Sequence, residues 1–198
     1  MTRTPSKEKR RAMKPFAHLH LHTEYSLLDG AARIDRVFDR AKEKGITALA
    51  ITDHGCMFGA LEFWKKGRET GIKPIIGCEF YTAPDMHAKD GKNFFHLVLL
   101  AKNNTGYKNI IKLDSLAYID GFYYKPRIDM ELLRRHTEGV VCLSACLGGE
   151  IPQLLLQHRY EDAKAVAQRF KEMFGEDFYL ELQDHKLPEQ KLVNPLLI

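Results

Sequence analysis

The 198-residue chain lacks any apolar run of the roughly 20 residues that a membrane-spanning helix needs. Its longest runs, FFHLVLLA and ITALAIT, stop far short of that. The charged N-terminus is followed by no apolar stretch, so nothing reads as a secretory signal. There is no CxxC pair. Cys56, Cys78, Cys142 and Cys146 are scattered, which argues against a zinc finger or a secreted disulfide framework and fits free thiols in a reducing cytoplasm. No GxGxxG or GxxxxGK follows an apolar run, which counts against a nucleotide-binding open sheet. Most of the chain also lacks a basic surplus. Residues 1–14 hold six Lys or Arg against one Glu, so their net +5 exceeds the total of +4 and leaves the remainder at −1. The basic character belongs to a terminal segment that reads as disordered, although such a tail can also touch nucleic acid.

With 44% hydrophobic and 28% charged residues, the remainder (15–198) has the composition and length of one globular domain. Short apolar runs at 17–22, 48–52, 74–80, 95–101, 140–144 and 178–182 alternate with amphipathic stretches at 34–44, 57–70, 106–118, 129–136, 151–157 and 160–174. This alternation predicts an α/β fold with a parallel sheet, either open and doubly wound or closed as a barrel. Residues 187–198 read as the start of a further helix, and the expectation is a chain that ends before the barrel is complete.

Polar residues with metal-ligand chemistry interrupt these runs at their ends. In FAHLHLHTEYSLLDG, strand alternation places His18, His20 and His22 on one face, and Asp29 follows in the loop. Imidazoles on an inner face need partners, whereas on a wet face they need none. Asp53 and His54 end ALAITDHG, where a local Asx turn is an adequate explanation of the pair alone. Glu79 ends PIIGCEFYTA, and a carboxylate there is seldom packing. His96 interrupts FFHLVLLA, and Cys146 follows VVCLSA; singly, each reads as a satisfied core residue. Taken together, His20, His22, Asp29, His54, Glu79, His96 and Cys146 come from five strand regions. Mixed N, O and S donors suit zinc or manganese, and seven donors exceed one tetrahedral ion. Two or three ions with carboxylate bridging fit better, as in two-metal phosphoryl hydrolysis.

HLHLHTEYSLLDG, ITDHG, IIGCEFY, HLVLLAKN, GFYYKPRID and LSACLGGE together resemble the PHP (polymerase and histidinol phosphatase) domain family, in its bacterial DNA polymerase III alpha branch, from about residue 16 onward. The resemblance implies a distorted (β/α)7 TIM-like barrel, here incomplete at its C-terminus, and up to three zinc or manganese ions. By motif, the implied ligands are His20, His22, Asp29, His54, Glu79, His96 and Cys146, with Glu79, His22 and His54 acting in catalysis through the bound metals. The closing Asp and His of the family's D-x-H motif are absent before Ile198.

The implied function is metal-dependent phosphodiester hydrolysis, specifically 3′–5′ exonuclease proofreading at a DNA primer end, within a cytoplasmic replicative polymerase. On that reading Lys125 and Arg127 hold phosphates while Tyr123 and Tyr124 stack on an unpaired base. The same segment could equally be a loop packed on the barrel. The implied partners are DNA and other holoenzyme subunits, including a separate proofreading exonuclease. The alternative is a scaffold domain that stabilises the polymerase and docks that exonuclease. Nucleotidyl transfer belongs to the polymerase as a whole, and no residues for it are visible in this chain.

Overall fold

A computed structural model describes residues 16–27, 29–89 and 93–198. The basic segment 1–14 lies outside the described residues. One eight-stranded sheet runs in the order β1 (Ala17–His18), β2 (Ala48–Ile51), β3 (Lys73–Thr82), β4 (Phe95–Ala101), β7 (Val140–Leu143), β8 (Phe178–Tyr179). A ribbon of β5 (Phe122–Tyr123) and β6 (Lys125–Ile128) joins the far end of β3. The helices are α1 (Ile34–Glu43), α2 (Ala60–Thr70), α3 (Asn104–Ile119), α4 (Met130–Arg134), α5 (Glu150–Leu156), α6 (Tyr160–Phe174) and α7 (Pro188–Leu197). The fold is α/β, a sheet curled into part of a TIM-like barrel. Among the described residues β1 and β8 are not paired with each other.

The expected all-parallel sheet needs correction at β4, which runs antiparallel to both β3 and β7. The physical reason is local. No helix lies among the described residues between β3 and β4, and a parallel return needs a crossover of a dozen or more residues, usually helical. The reversal has a consequence for the site. The C-terminal ends of β2, β3 and β7 form one rim, and an antiparallel β4 brings its beginning, with His96, to that same rim.

Strand alternation sorts the side chains onto two faces of the sheet. On the outer face Leu49 and Ile51 of β2 meet Ile34, Phe38 and Phe63 of α1 and α2. Farther along that same face, Cys78, Phe80, Leu97, Leu99 and Cys142 pack against α3, α5 and α6 through residues such as Ile110, Leu113 and Phe170. Ala50, Val98, Leu100 and Leu143 face the curled interior. By the same alternation, Glu79 and His96 belong to that interior face, where β3 and β4 pair Glu79 with Val98 and Tyr81 with His96. Caps fix two of the helices: the Asn103 side chain accepts from Gly106 N at 3.0 Å, and Asp129 accepts from Leu132 N at 2.8 Å. At Gly106 a Cβ would lie 1.8 Å from the carbonyl oxygen of Gly139, so only glycine lets α3 approach the chain entering β7.

One buried carboxyl has no such support. Asp114 of α3 has its Oδ1 buried without a hydrogen-bond partner among the described residues, and burial pushes its pKa up to about 6. An acid whose pKa is raised on folding makes the fold lose stability as pH rises from about 4 through about 6. Asp114→Asn should flatten that slope in urea titrations. At pH 7 it should stabilise the chain by on the order of 1 kcal/mol, once screening at a half-buried site is allowed for.

Candidate metal centre

The site is built around Glu79, whose side chain is 0% exposed. Backbone register puts it there: Glu79 N donates to Asp53 O at 3.1 Å, and Gly55 N donates to Glu79 O at 2.8 Å, which sets His54 beside it. Oε1 of Glu79 lies 3.1 Å from His20 Nε2 and 3.2 Å from His96 Nδ1. Oε2 lies 3.6 Å from His22 Nε2 and is in contact with His54 Nδ1. Cys146 Sγ is 3.8 Å from Glu79 Oε1 and 3.5 Å from His96 Nδ1. Asp29, largely exposed, reaches the outer nitrogen of His54, with Oδ2 3.1 Å from Nε2. All seven residues that the sequence singles out as ligands therefore meet in one place.

Backbone details aim two of them. Ala145 adopts a left-handed conformation, φ 62°, immediately before Cys146, a conformation that costs a non-glycine residue about 1–2 kcal/mol. Gly148 lies so close to the His96 ring that a Cβ there would sit 3.2 Å from it, while its N–H donates to Cys146 Sγ at 3.3 Å.

The electrostatics follow from this crowding. Burial alone would raise the pKa of Glu79, but the imidazoles of His20, His54 and His96 outweigh it and hold the carboxyl well below the usual carboxylate range. For His20 burial pulls down, yet the Glu181 and Glu79 carboxylates raise it to about 9. His96 also rises to about 9, against burial, through Cys146 and Glu79. His54 is raised against burial by Glu79 and Asp29. His22 goes the other way, to about 4, because burial dominates and the neighbouring imidazoles repel a second positive charge.

The donor set fits divalent metal. His54 Nδ1 and Glu79 Oε2 are both buried and touch, but off the line of a hydrogen bond, so neither has a hydrogen-bond partner among the described residues. Buried polar atoms normally have one. Two groups of donors, His20–His22–Glu79 and His54–Glu79–His96, each gather within 4.8 Å, and they share Glu79. Bound divalent metal would satisfy these atoms together.

Residues 18–185 match the PHP domain family. The chain belongs to the PHP domain family. Curated relatives carry the name DNA polymerase III subunit alpha. One from Thermus aquaticus is 52% identical over 190 residues, 92% of this chain and 16% of the relative. One from Treponema pallidum is 52% identical over 193 residues (94% and 16%), and one from Borreliella burgdorferi is 51% identical over 188 residues (92% and 16%). The PHP chain thus spans about one sixth of the length of these relatives. Among solved structures, an amidohydrolase from Chromobacterium violaceum overlaps 52% of this chain and 33% of its own, at 27% identity and a TM-score of 0.39. A Bifidobacterium adolescentis protein described as a metal-dependent phosphoesterase overlaps to the same extents, at 20% identity and a TM-score of 0.39. No helix among the described residues is long and apolar enough to cross a membrane.

The PHP chain departs from the sequence-based expectation at three places. Arg127 is 3% exposed, and its guanidinium is used internally: Nε donates to Gly121 O at 3.1 Å, and Nη2 to Met86 O at 2.9 Å and Ala88 O at 2.7 Å. It anchors the β5–β6 ribbon and does not face the cluster as a phosphate clamp. Lys125, on the same ribbon, lies nearer, its Nζ 5.1 Å from the centre of the Tyr81 ring, which stacks on His54. Asp53 makes no local Asx turn. Buried at 1% exposure, it accepts from Thr23 N at 2.6 Å and Thr23 Oγ1 at 2.7 Å, 30 residues away, and from Ser26 Oγ at 2.7 Å, 27 residues away. Glu181, just past β8, was not singled out, yet its Oε1 lies 2.7 Å from His20 Nδ1.

Proposed function

We propose that the cluster binds two or three divalent ions, zinc or manganese, and hydrolyses phosphodiesters, acting as a 3′–5′ exonuclease on the primer end in a replicative polymerase of the cytoplasm. The observation that carries this reading is the buried Glu79 carboxylate enclosed by four imidazoles and a thiol, with two touching polar atoms left without hydrogen bonds. His20, His22 and Glu79 would hold one ion; His54, Glu79 and His96, with Cys146 and Asp29 adjoining, would hold the next. Such ions lower the pKa of bound water to about 7 and offset charge developing on phosphoryl oxygens.

The chain's own residues bind and orient. Glu79 is the shared counter-charge, and its depressed pKa keeps it ionised throughout the working pH range. On this reading Lys125, whose Nζ lies beside the Tyr81 ring, meets a substrate phosphate from the β5–β6 ribbon that Arg127 anchors. Partners on this reading are primer–template DNA and other subunits of the polymerase, as the relatives' name suggests.

The test is cleavage of a primer with a mismatched 3′ end by the metal-loaded protein. His54→Ala should lower the rate by roughly 10²–10³-fold, because it removes one of the donors of the His54–Glu79–His96 group and with it the charge stabilisation that a bound ion would supply. Lys125→Ala should instead raise KM several-fold with less effect on kcat, since a phosphate contact acts mainly in binding. Bound metal with no cleavage of any phosphodiester would assign the centre to stabilising the fold.

A further inference from the structure

Metal ligation by histidine requires the ring nitrogen that faces the ion to carry no proton, and the partner of the other nitrogen decides this. The His20–His22 pair makes the requirement acute. The two Nε2 atoms lie only 3.1 Å apart, both facing Glu79. A proton on either one would point into the space between them.

At His20 the outer partner is Glu181. Its Oε1 is 2.7 Å from His20 Nδ1; the Gln183 Nε2, which donates to the same oxygen at 2.6 Å, also lies near Nδ1 but farther off, at 3.2 Å. An ionised carboxylate has no proton to give, so Nδ1 carries the proton of this contact. Glu181 is itself held in place, with its backbone N–H donating to Ser144 Oγ at 2.9 Å. Its Oε2 is buried with no hydrogen-bond partner among the described residues, a cost that packing alone does not explain.

At His22 the outer partner is Ser26 Oγ, 3.2 Å from Nδ1, and here the proton is fixed one step further out. A hydroxyl has one proton and two lone pairs. Ser26 gives its proton to Asp53 Oδ1 and accepts from His54 N at 3.1 Å. Asp53 accepts throughout: Thr23 N–H donates to Oδ1 and the Thr23 hydroxyl to Oδ2. The one place left on Ser26 Oγ is a lone pair, so His22 Nδ1 donates and Nε2 is bare.

We propose that Glu181 and Ser26, the latter with its proton committed to Asp53, are positioning residues that hold His20 and His22 as Nδ1–H tautomers with both Nε2 lone pairs turned to the cluster. This rests on reading the cluster as a metal centre, and it assigns roles to residues outside the ligand set.

The experiment compares two pairs of variants of this chain, Glu181→Leu with Glu181→Gln, and Ser26→Ala with Ser26→Thr. Zinc affinity is measured by chelator competition, and imidazole tautomers are read from long-range ¹⁵N–¹H spectra of the zinc-loaded protein. Glu181→Leu and Ser26→Ala should each weaken zinc binding by about 10–100-fold. Glu181→Gln and Ser26→Thr, which keep an oxygen acceptor, should restore it to within a few-fold. The spectra should show protonated Nδ1 and metal-bound Nε2 at both rings in the wild type, with the pattern lost only at the ring whose partner is removed. Wild-type affinity and spectra in both Glu181→Leu and Ser26→Ala would overturn the proposal, as would failure of both conservative variants to restore binding. A wild-type chain that binds no zinc would remove the metal reading itself, and this inference with it. Should Glu181→Leu fail to fold, the Ser26 pair answers the question alone.

Discussion

Glu79→Ala should strip the chain of metal at both halves of the cluster. Both donor groups share this one carboxylate, so no ion keeps its full set without it. The loss of affinity should go well beyond the roughly 10–100-fold that removing an outer partner of a ligand costs. The same substitution should change the metal-free chain. There Glu181 and Glu79 together raise His20, and Cys146 and Glu79 together raise His96, each to about 9 from 6.5 against the pull of burial. Groups raised in this way add stability that is fully present below about pH 6.5 and is lost as pH rises through about 9. Urea unfolding of the metal-free wild type should therefore show stability falling between pH 6.5 and 9. In Glu79→Ala that decline should be shallower, because Glu181 still faces His20 and Cys146 still faces His96, and the chain should be less stable by about 3–5 kcal/mol near pH 6, as expected when one partner of a buried ionic network is removed. Equal metal content in the variant and the wild type would contradict this account of the site.

Asp53→Ala should be the most damaging substitution outside the ligands. Its carboxylate collects three donors from the segment that follows the HxH pair: the N–H and hydroxyl of Thr23 and the hydroxyl of Ser26. All are buried, as Thr23 is 0% and Ser26 2% exposed. Alanine leaves them without acceptors in a space too tight for easy rehydration. Each unsatisfied group costs about 1–3 kcal/mol, so a total of about 3–5 kcal/mol is expected in chemical denaturation. The segment from Thr23 to Ser26 should loosen with it, because Asp53 accepts three of the hydrogen bonds that fasten it beyond the end of β2, beside the one that His54 N–H donates to Ser26 Oγ. Metal affinity should fall in parallel through Asp29 and His22. A change in stability below about 1 kcal/mol would show that the loop is held by something else.

These residues also show where sequence reasoning reaches its limit. Several of the residues that gather around Glu79 were legible because they break a physical pattern. His96 interrupts an apolar strand, Glu79 is a charge at the end of another, and His20 and His22 alternate on one face. Helices α1 and α6 were legible from their apolar spacing almost to the residue. Asp53 was not, because a DH pair after a strand has an adequate local explanation, and only the tertiary fold brings Thr23 to it. Glu181 carried the same signal as His96, a polar residue inside the apolar run 178–182, but the β8 strand there is only two residues long and its alternation is too brief to assign a face. Arg127 looked like a phosphate ligand by residue type alone. Its burial under the β5–β6 ribbon depends on the ribbon's pairing with the end of β3, which spacing does not reveal. The direction of β4 could have been anticipated, since no amphipathic stretch separates it from β3.

The central claim is that the carboxylate of Glu79 and the histidines around it form a metal centre. X-ray fluorescence and absorption on the purified, metal-supplemented chain test it most directly, because they report the element, the number of ions and the nature of the ligand atoms together. The account predicts at least two zinc or manganese ions per chain, in a shell dominated by imidazole nitrogen and carboxylate oxygen with a minor sulfur contribution from Cys146. A chain that retains no metal after exchange, or one whose metal shows only water oxygens in its first shell, would contradict it.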